Sequence, residues 1–278
     1  MITKALASAG AKKVYILGRR QSTLEAAASA VDTKVVIPIV CDVTSKPSLQ
    51  SAVDAVAADA GYINLLVANS GILGPYQSYD ASLSAAELRK RLFDDVDPDD
   101  FTDTLRVNIT GAYLTIFAFL ELLDKGNQNA LSRDKKHGYG QPLNEGSHVP
   151  RIQSQVVVTA SVGSYSRERA TPPAYSAAKG GVLQMAKHAA SGLAPYSIRV
   201  NILAPGWYES EMAAGIMSTR DPETEEMNHP DFMPARRFGV EDEVRGTILY
   251  LASKAGAYCN GSVHLFDGGR LAVIPSSY

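Results

Sequence analysis

Short apolar runs rich in β-branched residues recur along this chain, each followed by a stretch with helical period. Such runs, without polar alternation, read as strands covered on both faces. They fall at residues 14–17, 35–40, 64–68, 155–160, 198–203 and 262–266, and helical stretches fall at 22–30, 49–58, 84–93, 101–123, 175–193 and 240–251. Parallel strands need long crossovers, so this rhythm predicts a doubly wound α/β sheet with helices on both faces. Pro38 cannot donate to a ladder and places the second run at a sheet edge. Residues 1–9 read as the later part of a helix that Gly10 stops.

The chemistry gathers near the middle. The run Gln155-Val-Val-Val-Thr-Ala160 ends at Ser161, and open α/β sheets bind ligands beyond the carboxyl ends of their strands. Tyr175 then opens an Ala-rich helix, and the spacing Tyr175-Ser-Ala-Ala-Lys179 sets phenol and ammonium on one helix face. A phenol beside an ammonium, facing a hydroxyl, is a proton-transfer device. Lys179 is expected to stabilise the phenolate and lower a pKa that is ordinarily about 10. Ser161 is expected to hydrogen-bond a substrate carbonyl and steady the developing alkoxide. Asn108 sits in an apolar helix, where an amide without a partner is costly. Singly, each has a plainer reading: a packed aromatic, a surface charge, a cap, a bonded core amide.

Composition removes other classes. A net charge of −2 and a pI near 6.2 give no global attraction to nucleic acid or anionic membrane. Cys41 and Cys259 are too few and too far apart for a disulfide framework or a zinc site. No metal is expected, because His137, His148, His188, His229 and His264 share no ligand spacing. No apolar run approaches about 18 residues, so no membrane span is expected and a cytoplasmic location is the default. The chain reads as a single domain over 1–278. Within it, residues 94–100 read as a solvated acidic loop, 125–154 as a mobile surface insertion and 207–234 as a substrate loop.

The order Asn69-Ser-Gly71, Asn108, Ser161, Tyr175-x-x-x-Lys179, Pro205-Gly206, Asp267-Gly-Gly269 resembles the short-chain dehydrogenase/reductase family, over essentially the whole chain. The resemblance implies a three-layer Rossmann fold and hydride transfer between a nicotinamide and a ketone or secondary alcohol, with Asn108, Ser161, Tyr175 and Lys179 as the catalytic set. It implies that Lys179 also holds the nicotinamide ribose and that Asn108 lines a proton relay. Asp42 and Val43 would meet adenine, Asn69 and Gly71 the adenosine ribose, and Ser210, after Pro205-Gly206, the carboxamide. Arg19 and Arg20 follow the first strand where an acidic residue would grip the 2′-hydroxyl of NAD(H), so NADP(H) is favoured. A homodimer or homotetramer through the long helices at 101–123 and 175–193 is also implied.

One part of the family pattern is absent. The family opens with a strand and a turn Thr-Gly-x-x-x-Gly-x-Gly, whose amides meet the pyrophosphate at a helix N-terminus. This chain opens inside the helix that should follow. The expectation is a sheet lacking its central first strand, a chain N-terminally truncated relative to the family, and unpaired inner edges on 14–17 and 64–66. A mis-started gene model, closure of the two edges on each other, and a partner strand in the slot are the three explanations. The alternative function is a cofactor-free pseudoenzyme or non-redox protein (regulatory, scaffolding or biosynthetic), or an inactive fragment.

Overall fold

The computed structural model describes residues 1–132 and 141–278. Helix α1 (Ile2–Ser8) turns at Gly10, with φ 92°, into β1 (Val14–Gly18). Then come α2 (Gln21–Ser29), β2 (Val36–Val40), α3 (Lys46–Asp59) and β3 (Leu65–Ala68). Ser45 caps α3 by accepting from the Ser48 amide, and Pro47 sits in the first turn, where no amide is needed. A short α4 (Ala85–Arg89) opens on a reciprocal Ser84–Glu87 cap.

The acidic run departs from expectation in its second half. Asp97 caps α5 (Pro98–Leu105), accepting from the Asp99 amide, and Asp99 and Asp100 occupy the first turn. These charges are set against the positive end of the helix dipole rather than in a loop. Nor is 101–123 one continuous helix. A π turn over Arg106–Gly111 joins α5 to α6 (Ala112–Ala118), and Phe119 leaves helical ψ (φ −92°, ψ 4°) before α7 (Leu120–Leu131). The axis bends there by 44° as the Phe119 ring is buried. Residues 125–131 thus continue a helix instead of opening a surface insertion; 133–140 and His137 lie outside the described residues, and the chain is buried again by Ile152.

The second half holds β4 (Gln155–Thr159), α8 (Pro173–Gly192), β5 (Arg199–Pro205), α9 (Ala214–Met217), α10 (Glu241–Ala252) and β6 (Val263–Phe266). Among the described residues the named strands pair in parallel: β1 with β2, and β3-β4-β5-β6 as a separate sheet. Ala5 of α1 and Ile248 and Leu251 of α10 pack with Val157 and Leu203 on one face of the sheet. On the other, α3, α6, α7 and α8 bury Leu49, Val56, Ile116, Leu123, Val182 and Ala186 against Val156, Val158, Val200 and Ile202. This is a Rossmann-like three-layer α/β fold.

Register shows which backbone groups each edge presents. The amide of Val14 donates to Val35 and the carbonyl of Gly18 accepts from Cys41, so Val14, Ile16 and Gly18 bond to β2. By alternation Tyr15 and Leu17 face the other way. Pro38, opposite Ile16, points its missing amide outward on the edge strand, as its sequence position predicts. Asn64 accepts from Gln155, so Leu65 and Val67 likewise turn away from β4. These four residues border a cavity of about 1830 Å³ that also takes in Met1, Ile2, Leu6 and Val56. Strand β1 is only partly buried along its whole length, whereas β4, paired on both edges, is buried from Gln155 to Val158.

Amide exchange will separate the two kinds of position. In the isolated chain, the amides of Tyr15, Leu17, Leu65 and Val67 are expected to exchange at least about tenfold faster than those of Val156–Val158 under native conditions. Equal protection, read by NMR, would show the two edges to be covered.

Candidate active site

Ser161 follows β4 by two residues, and its backbone is extended (φ −170°, ψ 161°) before the turn Val162–Ser164. Its Oγ accepts from the Gly163 amide at 3.0 Å. Two further bonds lock this turn to α8: Ser164 Oγ donates to the Lys179 carbonyl and Ser176 Oγ to the Gly163 carbonyl, both at 2.8 Å. Gly163 packs closely here: a Cβ would stand 3.1 Å from the Tyr175 ring and 3.4 Å from Ser161 Oγ. The turn therefore lies directly against the phenol. Pro172 and Pro173 start α8 just before Tyr175, where prolines are tolerated because the first-turn amides have no helical partner.

Lys179 is one turn further along α8 and 4% exposed. Its Nζ donates to the Thr159 carbonyl at 3.0 Å and stands 5.7 Å from the centre of the Tyr175 ring. Burial lowers its pKa to about 8. The Tyr175 phenol departs from the sequence expectation: burial pushes it above the ordinary 10, and hydrogen bonding to Ser161 is the one opposing influence. The cause is desolvation of the buried phenol, which outweighs the hydrogen bond.

Asn108 lies on the π turn, fully buried. Its Nδ2 donates to the carbonyls of Ile72 and Thr104, each at 2.8 Å, while its Oδ1 is buried without a partner. A Cβ on Gly71 would fall 2.5 Å from that oxygen and 3.3 Å from Lys179 Nζ. Only a glycine at 71 leaves that space open. An orphaned acceptor beside a buried amine marks a place for a hydrogen-bonding group that the protein itself does not supply.

Of the residues singled out from sequence, Val43, Asn69, Gly71, Ser161, Tyr175, Lys179, Pro205, Gly206 and Ser210 line the same cavity. Gly206 packs so tightly on the next strand end that a Cβ would meet Asp267 Cα at 2.7 Å. Ser210 Oγ is engaged as a turn acceptor for the Ala213 amide. Asn108, Asp42, Arg19 and Arg20 lie outside this lining. The Asp42 carboxyl accepts from the Thr44 amide and hydroxyl, which hold it below the usual carboxylate range, with Arg19 a smaller influence. Arg20 Nη2 donates to Glu211 Oε2 at 2.9 Å, both side chains largely exposed. Sequence reasoning missed Glu168, Asp231 and Arg270, which also line the cavity. Asp267-Gly-Gly269 holds a turn: the Asp267 carboxylate accepts from the amides of Gly269 and Leu271.

Comparisons with known proteins identify the family. Residues 1–131 match the family model described as short chain dehydrogenase, and residues 143–270 match that of enoyl-(acyl carrier protein) reductase. The short-chain dehydrogenase/reductase SAT3 of Stachybotrys chartarum is 57% identical over 277 residues, covering 100% of both chains. PhomF of Diaporthe leptostromiformis is 42% identical, with 100% of this chain and 89% of that one covered. The crystal structure of levodione reductase superposes with a TM-score of 0.73 at 24% identity, over 100% of this chain and 93% of its own. The matches start at residue 1 and span the Stachybotrys relative completely, so they show no truncation relative to the family. They also weigh against a pseudoenzyme or an inactive fragment. With a relative so similar from end to end, the chain belongs to the short-chain dehydrogenase/reductase family and is an enzyme of that class.

Proposed function

We propose that the protein is an NADP(H)-dependent oxidoreductase that interconverts a ketone and a secondary alcohol, with Tyr175 as acid/base. The observation that carries the reading is the convergence of Ser161, Tyr175 and a desolvated Lys179 at one end of a cavity. The names of more distant relatives support a carbonyl substrate: sorbose reductase of Schizosaccharomyces pombe is 27% identical, and the 3-oxoacyl-[acyl-carrier-protein] reductase of Aquifex aeolicus 28%.

Two ends of a dinucleotide fit the residues present. Lys179 and the orphaned Asn108 Oδ1, open beside Gly71, suit the nicotinamide-ribose end and an ordered water. Asp42, Val43, Asn69 and Gly71 suit the adenosine end, Arg19 and Arg20 a 2′-phosphate, and Pro205, Gly206 and Ser210 the carboxamide. Structural neighbours have been solved both with NADH and with NADP, so the preference for NADP(H) rests on the arginines. Between the two ends, residues 1–13 contain no glycine-rich turn.

When bound, the nicotinamide supplies or accepts the hydride. Ser161 Oγ donates to the carbonyl oxygen and holds it beside the phenol. Tyr175 stays protonated through neutral pH because its pKa is raised, so it acts as the acid in the reductive direction and gives its proton to the developing alkoxide. Asn108 keeps the π turn folded through Nδ2 and leaves Oδ1 to orient water near Lys179. Tyr113 and Phe117, whose tilted rings meet at 4.6 Å and are exposed on α6, support homo-oligomerisation through this helix. The composition supports a cytoplasmic location.

Three outcomes follow from this reading. Tyr175→Phe is expected to cut ketone reduction, followed at the NADPH absorbance band, by about 10²–10⁴-fold while NADPH binding survives; unchanged turnover would sink the assignment. Arg20→Ala is expected to weaken NADPH binding by about tenfold or more, leaving NADH binding unaltered in a fluorescence titration. An equal change in both would remove the 2′-phosphate role. The third concerns Lys179, which loses its proton near pH 8 when folded and near 10.5 when unfolded. Between those values the unfolded chain binds more protons, so this residue makes stability rise with pH from 8 to about 10. Lys179→Met should flatten that part of the pH–Tm curve.

A further inference from the structure

Arg270 is the most heavily bonded side chain at the cavity that the proposed chemistry does not use. It is 2% exposed, on the turn Arg270–Ala272 that the Asp267 carboxylate organises. Its Nη1 donates to the carbonyls of Pro230 and Phe232 at 2.9 and 3.0 Å. Its Nη2 donates to both oxygens of Glu168 at 2.8 Å and lies 3.3 Å from Asp231 Oδ1. One planar fork thus joins three stretches of chain: 162–172, which lies between Ser161 and Tyr175; 230–232, near the end of the proposed substrate loop; and the carboxyl-terminal turn.

The tail reinforces the knot. The Arg167 amide donates to the Pro275 carbonyl and the Ser277 amide to the Tyr165 carbonyl, both at 2.8 Å, with a backbone bridge between Ser166 and Ser276. The rings of Tyr165 and Tyr278 meet edge to face at 5.5 Å. Glu168, Asp231, Arg270 and Ile274 share the cavity with Ser161 and Tyr175, so the knot forms a wall of the space in which a substrate must sit. Without the guanidinium, Glu168 and Asp231 would be left as like charges on that wall, and the two carbonyls would lose a donor. A lysine could not replace it, since one ammonium cannot span both carbonyls and the carboxylate.

We propose that Arg270 is a positioning residue that fixes the substrate wall of the cavity relative to Ser161 and Tyr175 and thereby sets the affinity for the carbonyl substrate. The proposal rests on the oxidoreductase reading for its kinetic consequence, and on the geometry alone for its structural one. It requires that 162–172, 230–232 and 274–278 be held as one unit.

The test uses the full chain with Arg270→Lys, Arg270→Met and the pair Arg270→Met with Glu168→Gln. Hydrogen exchange by mass spectrometry is expected to rise in all three segments together in both single variants, with 155–159 and 199–205 unchanged. Kinetics with ethyl acetoacetate and NADPH as probes are expected to show KM for the keto ester raised about tenfold or more. The KM for NADPH should stay the same and kcat within about threefold, with no rescue by lysine. The double variant, which removes the orphaned carboxylate, should regain part of the loss. The proposal is overturned if the three segments exchange independently, if the core strands loosen with them, or if kcat and the NADPH KM shift together with that for the keto ester. Should the wild-type chain leave ethyl acetoacetate unreduced, the exchange pattern decides for or against Arg270, and that failure counts only against the oxidoreductase reading.

Discussion

A hydrogen bond from Lys179 Nζ to the Thr159 carbonyl ties α8 to the end of the central strand. The arrangement around Ser161 depends on it. Thr159 can offer that carbonyl in a fixed place because β4 is paired on both edges and buried along most of its length. Lys179 can reach it because α8 begins soon after the Ser161 turn and is bonded back to it by Ser164 and Ser176. Tyr175, one turn earlier on the same face, inherits its position from both anchors. An ammonium with one protein acceptor in a buried site is poorly solvated, which is why its pKa falls to about 8.

Much of this was legible in the sequence, since it rests on local pattern. The run Gln155-Val-Val-Val-Thr159 has the composition of a strand covered on both faces, and it is one. The spacing from Tyr175 to Lys179 fixes a shared helix face whatever the tertiary context. Pro38 marked an edge strand because a missing amide is tolerated only there. The long apolar stretch at 101–123 misled for a physical reason: a π turn adds one residue to a helical turn without altering composition, so periodicity does not register it. Yet this turn carries Asn108 with its orphaned oxygen. Asp97 misled in the opposite sense, since a charge run reads as solvated until one of its members is seen to be a cap. Arg270, Glu168 and Asp231 were invisible because they are far apart in the chain and only tertiary folding brings them together.

The phenol and the amine also bear on reaction direction. Pairing them by spacing alone suggests an activated phenolate, as if both sat in water. Burial changes the sign of the argument. It raises the phenol and lowers the amine, and both shifts favour the neutral forms. A neutral phenol hydrogen-bonded to a serine is a proton donor in waiting. That form is the one the proposed reduction uses, in which the phenol protonates an alkoxide.

The open edges of β1 and β3 complete the physical picture. Tyr15, Leu17, Leu65 and Val67 turn backbone donors and acceptors toward a cavity instead of toward another strand. Backbone groups in that position remain satisfied only while water or another extended segment reaches them. The same cavity continues to Ser161 and Tyr175, so the two strand edges and the serine–phenol pair border one continuous space, and whatever solvates the edges also reaches the pair.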